Sequence, residues 1–211
     1  MKRIMFRLFG ILSIFLVLIF SNIKASDSAK EDWDLAKRSK GVSIYYRWVT
    51  LSDTLKAREM RAVFIINAKI SSIVPLFQSP GSFKKWAIGI KKCQMETVND
   101  SHWITYSMMN YPWPFKQKDL VTESSVEESA KMTCIQIKAI PDRVAEKPGI
   151  ERLKNYLGTW NFSTMKDGRT TVEYRVMVYS KPVFPRFIQD PLIIKLSIQS
   201  LVDLKHLAEN L

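Results

Sequence analysis

Histidine and cysteine are scarce in this chain, with two of each among 211 residues. His102 stands beside a turn signal and His206 in a C-terminal amphipathic stretch. Neither has partners placed for a metal site or a catalytic triad, and general acid–base chemistry needs such partners. Cys93 and Cys134 both fall in strand-like stretches, and neither has a second Cys or a His at metal-ligand spacing. An oxidising compartment would permit a disulfide between them; two buried free thiols are the alternative. Glycine numbers only seven and never clusters. The nucleophile elbow, the phosphate-binding P-loop and the dinucleotide fingerprint are all missing. These absences point away from an enzyme, from a metal and from a cofactor. The net charge is +12, yet there is no long Lys/Arg run, so nucleic acid is not an expected partner.

Aromatic residues are plentiful: six Trp, seven Tyr and eleven Phe, too many for a disordered chain. The first 25 residues read as a secretory signal peptide. Lys2, Arg3 and Arg7 form a basic start, Leu8 to Phe20 an apolar run, and Ala25 a small residue at a cleavage position. That run has 13 residues, short of the roughly 20 a spanning helix needs. An uncleaved membrane anchor is the alternative. Cleavage removes four cations and no acid, taking the net charge to +8. A periplasmic or secreted protein is expected, and its residual basicity suits transient contact with an anionic membrane surface.

Residues 27–211 read as one domain, with no repeat or linker. A helix is expected over 28–40, ended by Gly41. Strands are expected over 42–49 and 58–66, with Met60, Ala62, Phe64 and Ile66 on one face and Glu59 and Arg61 on the other. Glu59 and Arg61 are either a polar anchor in an interior or a pair on the solvated side. A short helix is expected over 71–77, broken by Ser79-Pro80-Gly81. Further strands follow over 86–98, 102–111, 120–127, 132–140, 150–164 and 169–179. Asn99-Asp100 marks one turn and Lys166-Asp167-Gly168 another, the latter a strong hairpin signal. From Pro191 to Leu211 apolar residues recur at helical spacing. The fold class is therefore α+β: a helix-grip, with a curved antiparallel sheet wrapped around a long C-terminal helix. A loose fit between sheet and helix leaves an apolar cavity.

An ordered set of motifs carries a resemblance. Trp33 to Arg47 looks like an opening helix, glycine and first strand. Lys56 to Ala62 follows, then Tyr111-Pro112-Trp113-Pro114-Phe115 with Asp119. Gly158-Thr159-Trp160, Gly168-Arg169-Thr170 and Tyr174 come later, and Phe184-Pro185-Arg186-Phe187 leads into the last helix. Together they resemble the START lipid-binding and lipid-transfer domains of the helix-grip superfamily. Two departures stand out. Lys118 occupies the place of the family's Arg before the Asp, and a Lys lacks the planar fork of Arg. Tyr179-Ser180-Lys181-Pro182 replaces the family's D-P-G-G segment.

The resemblance implies a lipid or similar apolar ligand: a sterol, a phospholipid or a fatty acyl chain. It also implies that Tyr111 can face that ligand. Period-two alternation then puts Trp103, Thr105, Ser107 and Met109 on the same face. Thr133, Ile135 and Ile137 form a similar face on the following strand, and Tyr174, Val176 and Val178 on the last. On the C-terminal helix, Ile193, Leu196, Ser200 and Leu204 would face the sheet, while Lys195 and Lys205 can meet anionic lipid heads. Plain core packing is the alternative for all of these. Ser200 argues for a cavity, because a hydroxyl in a dry core needs a partner. The expected function is binding, or carriage, of an apolar ligand under the C-terminal helix. Two alternatives stay open: a helix-grip enzyme of the cyclase/aromatase type, and a ligand-free envelope interaction domain.

Overall fold

The computed structural model describes residues 32–53, 55–110, 116–129, 132–178 and 184–211. The expected signal peptide and Tyr111 lie outside them. The elements run β1 (Asp34–Ser39), β2 (Val42–Ser52), β3 (Leu55–Ile66), α1 (Ile70–Ile73), α2 (Pro75–Gln78), α3 (Pro80–Trp86), β4 (Ile90–Asn99) and β5 (His102–Met109). They continue as β6 (Lys118–Glu128), β7 (Met132–Ala139), a 3-10 turn at Pro141–Arg143, β8 (Glu151–Arg152), β9 (Tyr156–Thr164), β10 (Thr170–Val178) and α4 (Arg186–Glu209). All belong to one compact unit, Trp33–Leu211.

The ten strands make one open sheet in the order β1-β2-β3-β10-β9-β7-β6-β5-β4, with β8 added in parallel beside β6. Every other pairing is antiparallel. The C-terminal helix α4 packs on β2, β3 and α3. This is the helix-grip arrangement expected from the sequence.

Period-two alternation sets the inner face of β3: Met60, Ala62, Phe64 and Ile66 are buried. Val42 and Ile44 of β2 and Val172 of β10 join them, with no accessible surface. Ile73, Leu76, Phe77 and Trp86 press down from α1–α3, and Ile198, Leu201, Val202, Leu204 and Ala208 from α4. Burying each large side chain contributes about 1.5–3 kcal/mol. Glu59 and Arg61 point the other way. On the outer face Arg47 donates to Glu59 at 2.6 Å, and Arg61 to Glu173 at 2.7 Å. The solvated-pair reading of Glu59 and Arg61 is the correct one.

Several sequence expectations need correction. Asp34–Ser39 is a strand, not part of a helix. Lys40 and Gly41 both have positive φ, 53° and 78°, the signature of a two-residue hairpin turn. That turn folds β1 back on β2 as an edge strand, where its charged side chains discourage further pairing. Ser79-Pro80-Gly81 ends α2, as expected, and also starts the next helix, which was not expected. Ser79 Oγ accepts from the Ser82 N–H at 3.4 Å, and Pro80 fills a first-turn position whose missing N–H costs nothing. Trp86 consequently ends α3, and the strand begins only after Gly89, at φ 79°. The stretch 150–164 is two strands, interrupted at residues 153–155.

The last helix begins at Arg186, so Pro191 lies inside it. Proline cannot donate to the carbonyl one turn back, that of Phe187, which weakens the helix there. Asp190, on the turn before the proline, is paired with Arg58 of β3, and this contact holds the first turn in place. Cys93 and Cys134 are free and half-buried. Burial pushes the Cys93 thiol up to about 11, with Lys84 opposing.

Candidate functional site

The strand pair β5–β6 carries an unusual inward face. On β5 it consists of Trp103, Thr105, Ser107 and Met109; on β6, of Leu120, Thr122 and Ser124. Register sets Trp103 opposite Ser124, Thr105 opposite Thr122 and Ser107 opposite Leu120. All seven are buried. Hydroxyl groups fill the positions that aliphatic side chains take on β2 and β3, so less volume projects from this half of the sheet. A cavity of about 620 Å³ remains between it and α4. That volume falls within the roughly 300–1,000 Å³ typical of small-molecule pockets.

The remaining walls come from every layer. Phe83, Trp86, Ile88 and Ile90 border it from α3 and the segment after it, and Ile193, Leu196, Ser197, Ser200 and Leu201 from α4. Tyr156, Trp160, Tyr174 and Val176 close in from β9 and β10. Trp160 stacks on Tyr174 with ring centroids 4.0 Å apart, and the Tyr156 and Tyr174 hydroxyls lie 3.0 Å apart. Burial raises the Tyr156 phenol above its usual value, while the bond to Tyr174 pulls the other way.

Charge gathers at two places. At the first, the Arg58–Asp190 pair ties β3 to α4, with exposed Lys56 and Arg186 beside it on the cavity border. The Arg58 guanidinium lies 3.6 Å over the Tyr46 ring. Burial raises the Tyr46 phenol, Arg58 opposes that shift and Asp190 adds to it. At the second, Lys118 borders the cavity and donates to Glu151 at 2.8 Å.

Behind Lys118 lies a buried brace. Arg152 Nε donates to Asp119 Oδ1 at 2.6 Å and Nη2 to Oδ2 at 2.9 Å; both side chains are sealed. The remaining guanidinium protons reach the carbonyls of Pro141, Val144 and Ala145. The bond to Asp119 raises the Arg152 pKa further. Asp119 thus anchors β8 and the 141–145 connection to β6, and it points away from the cavity residues on either side of it.

Of the residues expected at a ligand site, Trp103, Thr105, Ser107, Met109, Tyr174, Val176, Ile193, Leu196 and Ser200 line this cavity. Thr133, Ile135 and Leu204 do not. Ile135 and Leu204 are fully buried within the solid core, and Thr133 is 6% exposed beside it. They sit where α1–α3 and the end of α4 press onto the sheet, leaving no space to line. Ser200 does not want for a partner, since its Oγ accepts from the Ile88 N–H at 2.7 Å. Lys205 is committed to the Ile65 carbonyl at 3.0 Å.

Sequence reasoning missed Thr122 and Ser124 on β6 and Arg58 on β3. Their strand parity was available: Arg58 shares a face with Met60 and Ala62, and Thr122 and Ser124 with Leu120. His102 faces Glu123 at 2.9 Å and does not border the cavity.

No protein-family model matches the chain. It is similar to an uncharacterised protein of Pseudomonas aeruginosa, 27% identical over 186 residues, spanning 88% of this chain and 91% of that one. Among solved structures it resembles a STAR-related lipid transfer protein from Xanthomonas axonopodis. The TM-score is 0.73 and the identity 22%, covering 83% of this chain and 98% of that one. It also resembles an aromatase/cyclase from Streptomyces, with TM-score 0.53 and 8% identity, covering 72% and 94%. These likenesses establish the fold, that of the STAR-related lipid transfer domains.

Proposed function

We propose that this protein binds a lipid or similarly apolar molecule in the cavity under α4 and carries it, without transforming it. The observation behind this reading is the cavity itself. Protein interiors pack like organic crystals, with few voids larger than a water molecule. An apolar-walled space of about 620 Å³ in such an interior suits a guest. An apolar ligand that loses about 300 Å² of surface gains on the order of 7 kcal/mol, before the entropic cost of association.

Movement of the first turn of α4 would widen the way in. Pro191 weakens the helix there, and the Arg58–Asp190 pair is the contact to be broken. Phe187 and Ile188 on that turn are 78% and 53% exposed, with the Arg186 cation beside them. Such a mixture suits transient contact with an anionic membrane surface. The basic, then apolar, N-terminal sequence fits a secretory signal and a periplasmic or secreted carrier.

The likeness to an aromatase/cyclase favours a second reading, an enzyme acting on a large apolar substrate. It would need an acid or base at the cavity. Neither His102 nor Glu59 borders it; the groups that do include the Tyr156–Tyr174 hydroxyl pair, Lys118, held by Glu151, and Asp190, held by Arg58.

Native mass spectrometry of the protein, purified from its own envelope without detergent, tests the carrier reading. The expected result is one bound lipid per chain, reduced in Thr122→Trp, whose ring projects into the cavity. A bare mass, with no uptake from a mixed lipid extract, would overturn it. Recovery of a chemically altered guest would favour the enzyme.

A further inference from the structure

The inward hydroxyls of β5 and β6 face the cavity. Thr105, Thr122 and Ser124 are 5%, 5% and 2% exposed, and all three border the cavity. Among the described residues, none of their hydroxyls meets a hydrogen-bond partner. Ser107, 5% exposed, reaches only the Leu120 carbonyl, at 3.4 Å, the outer limit of such a bond. These hydroxyls open onto the cavity, where the polar atoms of a guest, or water in its absence, can pair with them. Valine and alanine would have supplied the same shape with no polar group facing the cavity.

The register gives the row its dimensions. Thr105 and Thr122 face each other across the two strands, about 5 Å apart; Ser124 lies about 7 Å further along β6 and Ser107 about 7 Å along β5. Lys118, the cation on these strands that borders the cavity, is already paired with Glu151. The row is therefore neutral and spaced.

We infer that the ligand is not a bare hydrocarbon or a simple acyl tail. It is an amphiphile carrying at least two uncharged oxygens, hydroxyl, ester or ketone, which lie inside the cavity against Thr105, Thr122 and Ser124. The polar part of the guest is buried on β5–β6, and its apolar part runs toward Ile193 and Leu196 of α4. This rests on the carrier reading and narrows its ligand class. A charged head would find only neutral hydroxyls there, and its desolvation would go uncompensated.

The test compares 1-monopalmitoylglycerol with heneicosane, a hydrocarbon of similar length, each delivered from cyclodextrin. A shift in the emission of Trp86, Trp103 and Trp160, all on the cavity wall, reports uptake as the guest displaces water beside them. The wild-type chain should bind the monoacylglycerol at least tenfold more tightly. The triple variant Thr105→Val/Thr122→Val/Ser124→Ala should lose that preference while taking up the hydrocarbon as well as before or better. Thr122→Ser, which keeps a hydroxyl, should retain it. Unfolding midpoints of all variants verify that the fold persists. Equal binding of both probes by the wild type, or a preference that survives in the triple variant, overturns the inference and leaves the carrier reading standing. Uptake of neither probe overturns both.

Discussion

Leu196 and Leu204 lie on the same helix, two turns apart, in surroundings of opposite kind. Leu204 has no accessible surface and sits in a solid core with Phe77, Trp160 and Phe162. Leu196 borders a cavity of about 620 Å³. The two halves of the interior share a helix and a sheet, and differ in what the sheet projects inward. Where the solid end begins the rings interlock and form the floor of the cavity: Phe77 lies 4.9 Å from both Trp86 and Trp160, centroid to centroid. At the hollow end Thr and Ser take the equivalent positions. An interior is hollow where its inward side chains are too short to meet.

The Asp119–Arg152 brace lies behind this end, between strand residues that border the cavity, and breaking it should have the largest effect. Arg152→Ala leaves a sealed carboxylate without its partner, which should cost about 3–5 kcal/mol in urea unfolding. The loss should fall on β8 and the 141–145 connection first, visible as faster amide exchange there. A cost under about 1 kcal/mol would mean that the hollow end stands without this pair.

Next in size is the helix pair itself. Leu204→Ala should cost about 2–5 kcal/mol, because the solid core cannot collapse to fill the void. Leu196→Ala should cost about 1 kcal/mol or less, as it enlarges a space already present. Equal costs in denaturant unfolding would erase the distinction between the two ends.

The smallest effect expected is a pH dependence. Burial raises the Tyr156 phenol above its ordinary value of 10.0. Between the unfolded and folded values the unfolded chain loses its proton first, so the native state is favoured less as pH rises. The contribution is complete below pH 10.0 and disappears as pH climbs past the folded value. Tyr156→Phe should therefore show a shallower decline in unfolding midpoint above that pH than the unchanged chain. Parallel declines would show that the Tyr156 phenol is not responsible.

The strands of the core were legible because their alternation is strong. Met60-Ala62-Phe64-Ile66 against Glu59-Arg61 favours the orientation with the apolar set inward, and the sheet adopts it. The inward face of β5 was legible for the same reason. What escaped was decided by one local turn and by partners distant in sequence. Asp34–Ser39 became a strand because Lys40 and Gly41 adopt a hairpin turn, and a Lys at positive φ leaves no mark in composition. The first turn of α4 extends past Pro191 to Arg186, and its Asp190 is fixed by Arg58, 132 residues away. Thr133 and Ile135 look like cavity wall in sequence, yet α1–α3 descend onto that side of the sheet.

By itself, then, the sequence determined the class of the fold: many alternating strands, one long amphipathic helix, and an interior face mixing aliphatic with hydroxyl side chains. Periodicity is a local property, and it survives translation into structure unchanged. The tertiary structure alone decided which part of the interior is filled and which is empty. That depends on summing side-chain volumes across elements far apart in the chain, and no single segment carries the sum.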